Sequence, residues 1–193
     1  MTIGQQKFLA IDFESARTRR TGGGDLPIQI ALIASENLEL QIDSGKSFFL
    51  SPPEPVALTR ADVHGITQEN LRDAPSLIEL WPELATDLQG SPLIAHGAGT
   101  ERRFLRVFPF AQIGPWIDTL FLSKKIYPDL ESYALGDLIC TLGIEGKLRS
   151  YFPHGRWHEA LFDSAACLLL FHHLVKNGDL QDKPLSWLIP SAG

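Results

Sequence analysis

The chain has 193 residues, of which 44% are hydrophobic and 21% charged, with a formal net charge of −6. That length builds one substantial core and falls short of two full domains, so a single domain over residues 1–193 is expected, with a core at about 7–177 and a packing tail over 178–193. The acidic balance excludes wholesale electrostatic attraction to nucleic acid while leaving room for a local basic rim. The lack of any run of about 18 apolar residues excludes a membrane-spanning helix. The opening "MTIGQQKF" has neither the basic nor the apolar region of a signal peptide, which predicts a cytoplasmic location. Cys140 and Cys167 lie in apolar stretches without metal-binding spacing and are expected as reduced core residues.

Residues 7–13, "KFLAIDF", have the apolar, β-branched and aromatic content of a strand. Two more follow at 26–35, "LPIQIALIAS", and at 39–52, "ELQIDSGKSFFLSP", after the turn-like "ENLE". Three early strands predict an antiparallel meander. Between the first two, "RTRRTGGGD" at 17–25 carries three consecutive glycines and reads as a flexible connection leaving directly from the strand end.

After Pro52, Pro53 and Pro55 the pattern turns helical, with Thr59 or Thr67 available to cap short helices. Residues 76–90, "SLIELWPELATDLQG", place apolar side chains at 77, 78, 80, 81, 84 and 88, and Pro82 kinks or divides that helix. "SPLIAHG" at 91–97 followed by "GTERRFLRVF" predicts a strand, a turn and a helix, and "PWIDTLFLSKKIYP" at 115–128 repeats the pattern. "YALGDLICTLGI" predicts an amphipathic helix ending at Gly143, and "HEALFDSAACLLLFHHLVKNG" a long one stopping at Gly178. Strands first and strand–helix alternation afterwards describe an α/β or α+β mixed sheet covered by helices.

Four acids stand out against this background. Asp12 and Glu14 are two residues apart on a strand, so they share a face opposite Phe13, and like charges that close repel unless a cation lies between them. Glu101 opens the helix after "LIAHG", a place where an acid also suits the helix dipole. Asp163 falls among Ala160, Leu161, Phe162, Ala165 and Ala166, where a buried carboxylate needs a cation or donors. His158 lies five residues before it, and imidazole is the natural proton acceptor at neutral pH. Taken singly each residue has an ordinary reading as an exposed, capping or outward-facing group. Together, four acids on two metals and a histidine base meet the needs of phosphodiester hydrolysis.

These residues resemble the DEDD-type 3′-5′ exonucleases related to the proofreading subunit of bacterial DNA polymerase III, in the subgroup with a catalytic histidine. "FLAIDFESA" looks like the family's first motif, "LIAHGAGTERRFL" its second and "HEALFDSAACLLL" its third, with "VHGIT" at 63–67 and "DTLFLSKKIYP" in the expected order between them. The resemblance implies an RNase H-like fold, antiparallel in strands one to three with parallel strands beyond, and removal of nucleoside monophosphates from a free 3′ end of single-stranded DNA or RNA. It implies Asp12, Glu14, Glu101 and Asp163 as ligands of two divalent cations, Mg²⁺ or Mn²⁺, and His158 as general base. Ser15, Phe13 and His96 would approach the substrate, and Val63 and His64 would line a pocket for the terminal base.

The second motif departs from the family's His-Asn-x-x-Phe-Asp, since here the run is His96, Gly97, Ala98, Gly99, Thr100, Glu101. The longer acid and the lost Asn and Phe predict retained catalysis with altered efficiency or substrate choice. A nuclease and a weakened module that binds nucleic acid or a protein partner, such as a polymerase, without cleaving both remain open. Local contacts to nucleic acid are expected from Arg17, Arg19 and Arg20, from Arg102 and Arg103, and from Lys124 and Lys125.

Overall fold

The computed structural model describes residues 1–59 and 61–189, so the end of the expected tail, 190–193, lies outside the described residues. Three long strands open the chain: β1 (Phe8–Thr18), β2 (Asp25–Glu36) and β3 (Glu39–Phe49). They pair antiparallel, and a tight turn at Asn37 and Leu38, both at positive φ, joins β2 to β3. A two-residue strand β4 (Val56–Ala57) then pairs with the far end of β1.

Short helices α1 (Ala61–His64) and α2 (Gln68–Arg72) follow, the second opened by a capping box in which Asn70 Oδ1 accepts from Thr67 N at 2.9 Å. Helix α3 (Trp81–Leu88) begins at Pro82 in its first turn, where the missing N–H costs nothing, so the proline starts the helix and residues 77–80 form turns instead. β5 (Leu93–Ala95) with α4 (Gly99–Phe104), and β6 (Trp116–Asp118) with α5 (Thr119–Ile126), are the two strand–helix units. Then come α6 (Leu135–Thr141), α7 (Glu145–Tyr151) and α8 (Ala160–Asn177). Helix α7 had no expectation because Leu148 alone among its residues is buried, which leaves no apolar stripe to read.

Among the described residues the sheet has six strands in the order β3-β2-β1-β5-β6, with β4 off this path on β1, and β5 parallel to both β1 and β6. This is the mixed, helix-flanked RNase H-like sheet. Side-chain alternation splits the core in two. Phe8, Ala10, Ile33, Ile94 and Ile117 meet α8 on one face, while Leu9, Ile11, Phe13, Ile30 and Leu32 pack with α3 and α4 on the other. Helix α8 is apolar almost all round, and Phe171 meets Phe8 edge-on at 4.7 Å. Each such fully buried aromatic stabilises by about 1.5–3 kcal/mol. No described helix is long and apolar enough to cross a membrane.

Two expectations are corrected here. Cys140 is exposed and not a core residue, while Cys167 is buried as expected. Asp12 and Glu14 do not close their strand, and the glycine loop does not leave from them. A register shift between Glu14 and Ser15 lets β1 continue to Thr18, where Arg17 pairs with Asp25 on β2 and with Ala57 on β4. The acids are therefore mid-strand.

Candidate active site

The position of the acids follows from what flanks β1. On its β5 side the pairing stops at Ala10, and β4 joins only at Arg17, so the stretch holding Asp12 and Glu14 borders a gap in the sheet. Both acids continue the row of Phe8 and Ala10 that faces α8. That helix is docked on the partners of the same residues across β2. Gln29, opposite Glu14, accepts from Ala160 N at 3.4 Å, and Ser164 Oγ donates to Ala31 O, opposite Asp12, at 3.5 Å. Asp163, in the first turn of α8, is thereby brought to the gap.

Glu101 comes from the other side. β5 ends at Ala95, Gly97 turns the chain at φ +77°, a conformation glycine adopts without steric cost, and α4 carries Glu101 inward until it is 5% exposed. The turn is held by Asp118, which the sequence reading did not single out. Its Oδ1 accepts from Gly97 N at 2.9 Å and from Leu120 N at 2.9 Å, and its Oδ2 from Ala98 N at 3.1 Å. The signal was available: an aspartate directly before a helix start is an N-cap.

Asp12 senses the other three carboxylates. Burial, then the charges of Asp163, Glu14 and Glu101, push Asp12 well above the usual carboxylate range. Burial raises Glu101 to about 7, with repulsion from Asp118 adding to it, and burial raises Asp163 to about 7 against the hydrogen bond from His158 N. That bond, at 3.2 Å to Asp163 Oδ2, fixes an exposed turn in which His158 has φ +64°. Glu14, His158 and Asp163 each offer a ligand atom within 4.8 Å of the others. Glu101 Oε2 and Asp163 Oδ1 are buried without a hydrogen-bond partner among the described residues. Unpaired buried oxygens beside like charges are the donor set of a hard divalent cation, and these residues fit one.

A cavity of about 160 Å³ is lined by Val63, His64 and Gly65 together with Gln29, Arg156 and His158, and so reaches the site through His158 and not through the acids themselves. Ser15 is half-buried just past the register shift in β1. Phe13 and His96, expected at the substrate, are placed otherwise. Phe13 is 6% exposed and meets Phe104 edge-on at 5.3 Å in the opposite core. His96 has both ring nitrogens engaged, Nε2 with Tyr133 O at 2.8 Å and Nδ1 with Thr119 Oγ1 at 2.9 Å. Burial lowers its pKa, and its Nε2–H donates to the Tyr133 carbonyl.

The acids' titration carries a signed prediction. Their native pKa values lie above the unfolded ones, so protons stabilise the metal-free fold at low pH and this stabilisation is lost as pH rises through about 7. A cation must displace those protons, so the gain in melting temperature on adding Mg²⁺ should be small at pH 6 and at least twice as large at pH 8. His172, buried and lowered to about 4, titrates the opposite way, but equally with and without metal, and cancels from the comparison. An increment independent of pH between 6 and 8 would contradict the raised values.

A mixed sheet with carboxylates beside a gap at its centre defines a candidate metal-binding site. The exonuclease family model typified by RNase T matches residues 9–171, and the chain belongs to that family. It is 30% identical over 181 residues to DNA polymerase III PolC-type of Thermotoga maritima, covering 91% of this chain and 12% of that one. It is 28% identical to a DNA polymerase III subunit epsilon-like protein of Rhodobacter capsulatus, covering 87% and 23%. The chain thus spans a small fraction of these curated relatives. Among solved structures, Exonuclease X in complex with 5′ overhanging duplex DNA superposes with a TM-score of 0.71 at 22% identity, covering 94% of this chain and 98% of the other. The nuclease domain of 3′hExo, a DEDDh family member bound to rAMP, gives 0.71 at 17% identity, covering 92% and 96%.

Proposed function

We propose that this chain is a metal-dependent 3′-5′ exonuclease that removes nucleoside monophosphates from single-stranded DNA or RNA ends. The observation that carries this reading is the convergence of Asp12, Glu14, Glu101 and Asp163, from three elements, beside His158 and a cavity. Asp12, Glu14, Glu101 and Asp163 would hold two divalent cations, Mg²⁺ or Mn²⁺. When bound, such ions supply charge compensation for the attacking and leaving oxygens and a more acidic water. His158, exposed at the mouth of the site, accepts the proton of the attacking water. Val63 and His64 take the terminal base and Ser15 the terminal nucleotide, while Phe13 and His96 support the site from inside. The polymerase names of the relatives support a replicative polymerase as partner and a cytoplasmic setting.

The test is incubation with 5′-labelled single-stranded DNA and RNA in Mg²⁺, Mn²⁺ or EDTA. A metal-dependent ladder shortening from the 3′ end is expected. Measurable binding with intact substrate under every metal would replace this reading with that of a non-cleaving module.

A further inference from the structure

The helix that brings Glu101 to the site also carries Arg102, and the 3-10 turn after it, Leu105–Val107, carries Arg106. Arg102 and Arg106, roughly one helical turn apart and both exposed, form one wall of a cleft of about 460 Å³ whose other walls include Phe108, Ile113 and Trp116. No acid is among its lining residues, and neither guanidinium is in an ion pair among the described residues. In a chain of net charge −6 that is a local exception. The larger hollow of about 620 Å³ beside Arg19 and Arg72 contains Glu54, and the cavity beside His158 contains Glu159. Aromatic surface continues outward: Phe108 stacks on Trp81 at 4.0 Å, and Phe110, 98% exposed, borders the adjoining hollow.

We infer that this cleft is a second contact for single-stranded nucleic acid, with phosphates on Arg102 and Arg106 and a base against Trp116 and Phe108. Unpaired guanidinium groups beside aromatic surface, with no acid to oppose them, are what a strand of phosphates and bases requires. β6, on which Trp116 lies, is a sheet edge of three residues, too short for an added peptide strand to gain much from backbone hydrogen bonds. The inference rests on the nuclease reading for the strand's direction. With its 3′ end at the acids, a strand must extend well beyond the terminal nucleotides to reach the cleft beside α4.

The test is binding of 5′-fluorescein-labelled oligodeoxythymidylates, a 12-mer and a trimer, to the full chain in EDTA at several salt concentrations. For the 12-mer, the double variant Arg102→Ala, Arg106→Ala should flatten the slope of log K against log salt by about 1.4, the release from two single-strand phosphates. Trimer binding should be unchanged. Trp116→Leu should weaken 12-mer binding roughly five- to hundredfold, with the slope retained. An unchanged slope, an equal loss for the trimer, or no binding of the 12-mer by the wild type would overturn the inference. So would finding that the cleft binds an aspartate-rich peptide, in an arginine-dependent way, in preference to the oligonucleotide. Loss of the slope in a protein that never shortens a labelled strand would sink the nuclease reading and leave this contact standing; shortening with an unchanged slope would do the reverse.

Discussion

Asp12→Asn should lower the rate of 3′-end hydrolysis by at least ~10³-fold, because the groups at this site act as a unit and the loss of one disables the rest. The same substitution should make the metal-free protein more stable. Asp12 is the carboxylate on which burial and the charges of Asp163, Glu14 and Glu101 converge, so the wild type at pH 8 carries repulsion that the amide removes. A gain of about 2–4 °C in melting temperature, the shift that about 1 kcal/mol gives a chain of this size, is expected in EDTA. In excess Mg²⁺ the order should reverse, since the wild type then gains a bound ion that the variant holds poorly. Activity within tenfold of wild type would remove Asp12 from the machinery. A lower melting temperature in EDTA would mean that the acids are not in tension.

His158→Ala should cost ~10²-fold or more at neutral pH, the usual contribution of a positioned general base. The geometry makes the accompanying measurement decisive. A ring nitrogen of His158 lies within 4.8 Å of ligand atoms of both Glu14 and Asp163, close enough for the imidazole to serve as a ligand instead. As a base, its removal should leave Mn²⁺ binding within about threefold, and the lost rate should be partly regained at higher pH, where hydroxide replaces the base. A tenfold or greater loss of Mn²⁺ affinity would assign the histidine to the metal. An unaffected rate would end both assignments.

Much of the fold was legible in order and type. The strands expected at 26–35 and 39–52, the strand–turn–helix units around "LIAHG" and "PWIDTL", and the long apolar helix at the end lie where their apolar content and the breaks between them put them, because those signals are local. Short elements such as β4 and α7 escaped because each is held by a few distant contacts that leave no local pattern. Asp118 escaped for a related reason: its cap on α5 is a local signal, but its hold on Gly97 and Ala98 joins residues 21 and 20 positions away.

By itself the sequence determined the chemistry on offer: four acids, a histidine and the order of three motifs. Where those groups meet was decided by the tertiary structure. The register shift after Glu14 carries β1 past its acids and makes them mid-strand, so that they face a gap which exists only because β5 is short and β4 joins late. Packing likewise decided His96, whose ring nitrogens meet Tyr133 O and Thr119 Oγ1 from other segments. Face and periodicity are properties of a segment, whereas a gap between strands and the partner of a ring nitrogen belong to the packing of several segments at once.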